Sequence, residues 1–217
     1  GLRCRTWTTG VPVREELFAI PAQLPEGPEL RLLVLGGSQG SRQLNELVPA
    51  AVGNLQLPAG RTLRVLHQCG KAHVEATRAA WQAAGGGLAL GDRVEVLPFV
   101  DDVPGALAAA HLVVSRAGAI TLAELCAAAR PSILVPLAIA AGHQGGNAAA
   151  MERAGASRVL AGEAATPERL AALLAELFAG AEGASLATLQ RMADAARRLA
   201  RPGAADAIVD RLAEVAR

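Results

Sequence analysis

A chain of 217 residues that is 52% hydrophobic and 19% charged has the apolar material for the buried core of one compact domain, which excludes intrinsic disorder. Lys+Arg 21 against Asp+Glu 20 leaves a net charge of +1, and aromatics are only 2%; together these exclude the basic, base-stacking surface of a dedicated nucleic-acid binder. No uninterrupted apolar run reaches the ~18 residues of a membrane span, because the best stretch, Leu125 to Leu137, is broken by Arg130, Pro131 and Pro136.

The first stretch, Gly1 to Glu29, carries four prolines and no clear period, and reads as an interdomain linker. After it, β-branched and leucine-rich runs alternate with Ala/Leu segments of helical spacing. Strands are expected at Leu30 to Leu35, Leu63 to His67, Val94 to Pro98, His111 to Ser115, Ser132 to Pro136 and Arg158 to Leu160. Helices are expected at Gly40 to Gly53, Ala72 to Ala84, Val103 to Ala110, Gly118 to Ala129 and Asn147 to Ala154. The alternation predicts an α/β fold: a Rossmann-like parallel sheet with right-handed crossovers and helices on both faces, occupying residues 30–165. From Thr166 the pattern is helical only. Thr166-Pro167-Glu168 supplies an N-cap and a proline at the first helical position, and residues 166–217 are expected to pack as helices on the same domain. With no tyrosine and so few aromatics, the core must be built from Leu, Val, Ile and Ala, which favours closely spaced helices on the sheet.

Three cysteines, Cys4, Cys69 and Cys126, are widely spaced and have no metal-ligand partners nearby, a pattern of reduced thiols in a cytoplasm. Gly1 is not an initiator Met, and no signal peptide follows it, so the chain reads as a piece of something longer.

In an open parallel sheet the ligand lies beyond the carboxyl ends of the strands, so the loops after the strands carry the candidate chemistry. The first is Gly36-Gly37-Ser38-Gln39-Gly40-Ser41, where glycines admit close backbone approach and the following helix start attracts phosphate. It is neither a GxGxxG fingerprint, since Ser38 and Ser41 stand where glycines are needed, nor a P-loop, since it has no Gly-Lys-Ser/Thr. The second is Ser115-Arg116-Ala117-Gly118-Ala119-Ile120-Thr121-Leu122-Ala123-Glu124. Here Glu124 is placed to accept both hydroxyls of a ribose, while Thr121-x-x-Glu124 equally spells a helix capping box. The third is the loop from Val135 to Asn147, where His143, Gln144 and Asn147 offer donors and acceptors to sugar hydroxyls, or Asn147 simply caps a helix. Weaker signals are Arg14 beside Pro12, Phe99 and Val100 as a wall for a flat base, Asp101 or Asp102 as a cap, and His67 to Lys71, whose lysine is the chain's only one. Arg191, Arg197, Arg198 and Arg201 form a basic run read as a solvated face. No Ser-His-Asp set, metal cluster or acid/base carboxylate pair is evident.

As a set these segments resemble the bacterial MurG family: Gly10-Val11-Pro12-Val13-Arg14, the Gly36 to Gly40 loop, His67-Gln68-x-Gly70-Lys71, Pro98-Phe99-Val100-Asp101-Asp102, Ser115 to Glu124, and His143-Gln144-x-x-Asn147 occur in the family's order and spacing. The resemblance covers Thr9 to Val159. It implies the C-terminal, donor-binding half of a GT-B glycosyltransferase that moves GlcNAc from UDP-GlcNAc to undecaprenyl-diphosphate-MurNAc-pentapeptide, converting lipid I to lipid II in peptidoglycan synthesis at the cytoplasmic face of the cell membrane. It further implies that Arg14 and Ser38 lie near the diphosphate, with Gly37 and Gln39 beside them. The backbone at Val100, next to Phe99, would hold the uracil. Gly118, Ala119, Ile120, Thr121, Leu122 and Ala123 would cradle phosphate and ribose, Glu124 would take the ribose diol, and Gln144, with His143 and Asn147, would read the GlcNAc hydroxyls. The implied reaction is inverting and needs neither cofactor nor metal. The acceptor site, the catalytic base and the membrane contact are expected in a separate N-terminal domain. Two departures stand out: Val11 where the family often has Asn, and Gly142 in place of a frequent Asp. The other readings are a different GT-B sugar-nucleotide enzyme, such as an epimerase or glycolipid transferase, and a non-catalytic nucleotide-binding module.

Overall fold

A computed structural model describes residues 6–84, 93–137, 143–178 and 184–216. Six strands form one all-parallel sheet: β1 (Glu29–Leu35), β2 (Thr62–Gln68), β3 (Val94–Leu97), β4 (Leu112–Ser115), β5 (Ser132–Leu134) and β6 (Ser157–Val159). Their order is β3-β2-β1-β4-β5-β6, the doubly wound arrangement in which the winding reverses between β1 and β4. The helices are α1 (Arg42–Gly53), α2 (Val74–Ala84), α3 (Val103–Ala109), α4 (Ala119–Ala127), α5 (His143–Arg153), α6 (Pro167–Phe178), α7 (Ala184–Leu199) and α8 (Ala204–Val215). No helix among the described residues is long and apolar enough to cross a membrane.

The period-2 alternation of β1 divides the core. Leu30, Leu32 and Val34 point to a layer shared with Leu44, Val48 and Val52 of α1, Trp81 of α2, and Leu170, Leu174 and Phe178 of α6. Leu33 points to the opposite layer, with Leu107 of α3, Leu122 and Leu125 of α4, and Met151 of α5. That second layer is rich in alanine, including Ala127, Ala128, Ala148, Ala195 and Ala196, so its helices approach closely without aromatic spacers. Helix α7 contributes to both layers, through Leu189 and Met192 on one side and Ala195 and Ala196 on the other.

The segment before β1 is more than a linker in its packing. It forms a 3-10 helix at Glu15–Ala19 and buries Leu17, Ile20 and Leu24. Its backbone is held by α7: Arg197 donates to the carbonyls of Phe18 and Ile20, while Gln190 donates to Ala22 O at 3.0 Å and accepts from Leu24 N at 3.1 Å. The basic run therefore divides, with Arg197 turned inward and Arg191 and Arg198 exposed. The prolines hide this burial from any periodicity analysis: the three apolar anchors stand at i, i+3 and i+7, but Pro21 falls inside that span and the helical turn stops at Ala19. Helix starts follow their expected chemistry more closely. Asp102 Oδ1 accepts from Gly105 N at 2.8 Å, and Thr166 Oγ1 accepts from Arg169 N at 3.3 Å.

One buried polar network sits behind the functional end of the sheet. Trp81 Nε1 donates to His67 Nδ1 at 3.1 Å, which leaves the proton on Nε2 to meet Asn45 Oδ1 at 3.0 Å, and Asn45 Nδ2 donates to Cys69 O at 3.0 Å. Burial lowers the His67 pKa from its ordinary 6.5 to about 4. The native state then binds fewer protons than the unfolded chain between those two values, so the stability it contributes is full above pH 6.5 and drains away as pH falls toward 4. The expected loss is about 3 kcal/mol at most, read from urea midpoints across that window, and His67→Gln should flatten the slope.

Candidate functional site

At the point where the winding reverses, the loop after β1 runs to α1 on one face and the loop after β4 runs to α4 on the other, opening a crevice between them. A cavity of about 550 Å³ occupies this crevice, within the size range of small-molecule sites. Gly37 and Ser38 form one wall, and Phe99, Val100 and Asp101 form another. The third consists of Ile120, Thr121 and Glu124 of α4, with Arg14 above it.

The glycine loop is shaped by backbone packing as well as by openness. A Cβ on Gly40 would run into the Cys69 carbonyl, and one on Gly70 would run into Gln39 O, so the two loops lie backbone against backbone. Gly37, by contrast, would meet nothing within 4 Å. Helix α4 starts bare: its N-cap is Gly118, no side chain caps it, and its first backbone bond runs from Leu122 N to Gly118 O at 3.0 Å. The amides at Ala119, Ile120 and Thr121 precede that first bond and are available, at the positive end of the helix dipole, to an anion.

The helix boundary removes the capping-box reading of Thr121-x-x-Glu124. A capping box would need Thr121 as the N-cap, but Thr121 is the third residue of the helix and Glu124 the sixth, so no box forms. The Glu124 carboxylate instead faces the cavity, 3.9 Å from the Arg14 guanidinium, which also lies 3.5 Å from Glu16. Burial raises the Glu124 pKa above the ordinary carboxylate range, and Arg14 partly offsets the rise.

The structure thus brings Arg14, Gly37, Ser38, Phe99, Val100, Ile120, Thr121 and Glu124 to one cavity. Other expected residues fall elsewhere. Leu122 turns into the core, Ala123 faces Val11 and Val13 on the far side of α4, and neither Ala119 nor Gln39 lines the cavity. The helical period accounts for this, since only residues spaced three or four apart share a face of α4. Gln144 and Asn147 lie on α5, which begins at His143 rather than at Asn147, so Asn147 is no N-cap. Its Nδ2 donates to Ala117 O at 3.3 Å, and Gln144 Oε1 accepts from Leu137 N at 3.0 Å. Gly145 and Gly146, read as loop, are helical. The His143 side chain and residues 138–142 lie outside the described residues.

Three residues without a ligand-binding role in the sequence reading also belong here. Asp101 and Gln68 line the cavity. Arg116, the first residue after β4, donates from Nη1 to Gln43 Oε1 at 2.8 Å and to Val135 O at 3.0 Å, and so ties α1 to the end of β5. Its Nε is buried without a hydrogen-bond partner. The signal that marks Gln68 and Arg116 is positional: each stands at the carboxyl end of a central strand.

A 3-2-1-4-5-6 parallel sheet with a cavity at its switch point, lined by a bare helix start and a glycine loop, defines a Rossmann-like fold, and likeness to known glycosyltransferases gives its class as one half of a GT-B glycosyltransferase. Residues 31–208 match the glycosyltransferase family 28 C-terminal domain, and the chain belongs to that family. It is 46% identical over 209 residues to the UDP-N-acetylglucosamine--N-acetylmuramyl-(pentapeptide) pyrophosphoryl-undecaprenol N-acetylglucosamine transferase of Sorangium cellulosum, covering 96% of this chain and 49% of that protein. The protein of the same name from Azotobacter vinelandii is 44% identical, with 97% and 56% covered. Among solved structures, Acinetobacter baumannii MurG superposes with a TM-score of 0.77 at 33% identity, over 91% of this chain and 55% of that one. These relatives bear out the MurG-family resemblance. The chain spans about half the length of the curated relatives it matches.

Proposed function

We propose that this chain is the donor-binding domain of an inverting N-acetylglucosaminyltransferase, holding UDP-GlcNAc for transfer to undecaprenyl-diphosphate-MurNAc-pentapeptide at the cytoplasmic face of the membrane. The observation that carries the reading is the single cavity in which a cation, a bare helix N-terminus, a half-buried carboxylate and an apolar wall converge. Each matches one part of a uridine nucleotide. Phe99 and Val100 suit the flat base, Glu124 suits the two hydroxyl donors of the ribose, and the start of α4, Ser38 and Arg14 suit the diphosphate. Gln144, one turn from the contact between Asn147 and Ala117, is assigned to the GlcNAc hydroxyls.

In the reaction, the acceptor's C4 hydroxyl attacks the anomeric carbon as the bond to the UDP oxygen breaks. Negative charge grows on the departing diphosphate, and Arg14 with the amides of Ala119 to Thr121 stabilises it where it grows. The base that takes the hydroxyl proton, the acceptor site and the membrane contact are assigned to the half of the relatives that this chain does not span.

Calorimetric titration tests the reading. UDP and UDP-GlcNAc should bind, without turnover of the latter, and TDP should bind more weakly because its sugar lacks one of the two hydroxyls that Glu124 would accept. Binding of TDP or NAD with no response to UDP would overturn the proposal.

A further inference from the structure

Gln68 is the last residue of β2, 4% exposed, yet its side chain reaches the cavity. Its amide lies across the ends of three strands. Oε1 accepts from Gly36 N at 3.0 Å, while Nε2 donates to Gly37 O at 2.8 Å and to Pro98 O at 3.3 Å. Gly36 and Gly37 lead directly into Ser38, and Pro98 leads directly into Phe99 and Val100. One planar group therefore joins the first residues of the two loops that form facing walls of the cavity.

We propose that Gln68 is a positioning residue that sets the spacing between the phosphate-side and base-side loops of the donor cavity, an inference that rests on reading this cavity as a uridine-nucleotide site. The chemistry of the three contacts selects glutamine. The position needs one acceptor toward Gly36 N and two donors toward two carbonyls, and among side chains of this length only a primary amide supplies both. A carboxylate would turn acceptor-only oxygens toward Gly37 O and Pro98 O, and an apolar isostere would remove all three contacts, leaving Gly36 N only the Gln68 backbone carbonyl at 3.2 Å and Gly37 O only Gly40 N at 2.8 Å. The strand that carries Gln68 is itself fixed from behind. The Trp81–His67–Asn45 network ends on Cys69 O, and that carbonyl packs against Gly40. The amide therefore has a rigid base from which to hold the loops, and the nucleotide meets walls already at their bound separation.

The test compares the parent chain with Gln68→Glu and Gln68→Met. UDP affinity is titrated from pH 5 to 8, and the folded fraction is checked by circular dichroism at each pH. At pH 8 both variants should bind UDP about 30-fold more weakly than the parent, the equivalent of two lost hydrogen bonds. As pH falls, the ratio of Gln68→Glu to parent should return toward one, because a protonated carboxyl regains an O–H donor. The Gln68→Met ratio should stay flat. Loss of packing alone would weaken both variants without this pH-dependent recovery. If Gln68→Glu unfolds at pH 8, its affinity at pH 5 against that of Gln68→Met carries the comparison. Folded variants that bind as tightly as the parent, or a Gln68→Glu ratio independent of pH, would overturn the positioning role while leaving the cavity reading intact. A parent chain that binds no uridine nucleotide would overturn the cavity reading and this role together.

Discussion

Replacing Glu124 with alanine should weaken UDP binding about 100-fold while leaving the thermal midpoint of the unliganded chain unchanged or slightly raised. In the proposed role, the loss of affinity follows from removing a carboxylate that would accept two hydroxyl donors, at about 1.5 kcal/mol for each charge-assisted bond. The stability expectation follows from the geometry. Glu124 caps nothing, its carboxyl is raised by burial, and its one ion-pair partner, Arg14, is half exposed at 3.9 Å. A carboxyl raised in the folded state makes the native protein hold its proton to higher pH than the unfolded chain does. Its ionisation therefore subtracts stability as pH rises through that window, and alanine removes this cost. Ligand binding runs the other way, because only the ionised carboxylate accepts both hydroxyls. Affinity for uridine, which has no titrating phosphate, should rise as pH climbs through the raised Glu124 range, and Glu124→Gln should abolish the rise. Parallel losses of affinity and folding stability in Glu124→Ala would contradict the assignment.

The largest stability effect is expected at Arg130. Its side chain is 1% exposed and donates only to carbonyls: Nε to Leu107 O at 2.6 Å, Nη1 to Ala129 O at 3.0 Å and Pro21 O at 3.2 Å, and Nη2 to Ala108 O at 3.2 Å. Leu107 and Ala108 are in the last turn of α3, at the negative end of that helix, so one guanidinium closes α3, the turn after α4 and the segment before β1 together. Burial lowers its pKa to about 10, and the group stays charged at neutral pH. Arg130→Ala would leave four carbonyls without this donor and open a void. The expected loss is roughly 4 kcal/mol, a large part of a typical domain's stability, with the melting midpoint falling by about 10 °C. Arg130→Lys should recover only part of it, since an ammonium cannot span four acceptors. Chemical denaturation reads both values, and a loss under about 1 kcal/mol for alanine would contradict this account.

Arg130 also marks a boundary of what a linear reading can see. As a residue it interrupts an apolar run, and nothing in its neighbours distinguishes an exposed arginine from one whose partners, Pro21 and Leu107, lie 109 and 23 positions away. The segment before β1 escaped for the same reason, because its burial depends on Arg197 and Gln190 of a helix far along the chain. In α5 the glycines at 145 and 146 lower helix propensity enough to look like loop, yet the helix begins before them. Where the signal is strictly periodic, sequence and structure agree closely. β1 was expected at Leu30 to Leu35 and spans Glu29–Leu35, and α1 was expected to end at Gly53, as it does.

Legible along the chain are the alternation of strand and helix, hence a parallel doubly wound sheet, and the loops after the strands as the place to look for ligand chemistry. Those follow from local period and turn chemistry, which a chain carries with it residue by residue. Which loop residues share the cavity depends on three-dimensional packing: that Thr121 and Glu124 face it while Leu122 and Ala123 do not, that Arg14 reaches Glu124 across 110 residues, and that Gln68 joins two loops. These are consequences of strand order, which brings β1 beside β4, and strand order is fixed by packing both faces of the sheet at once rather than by any one segment.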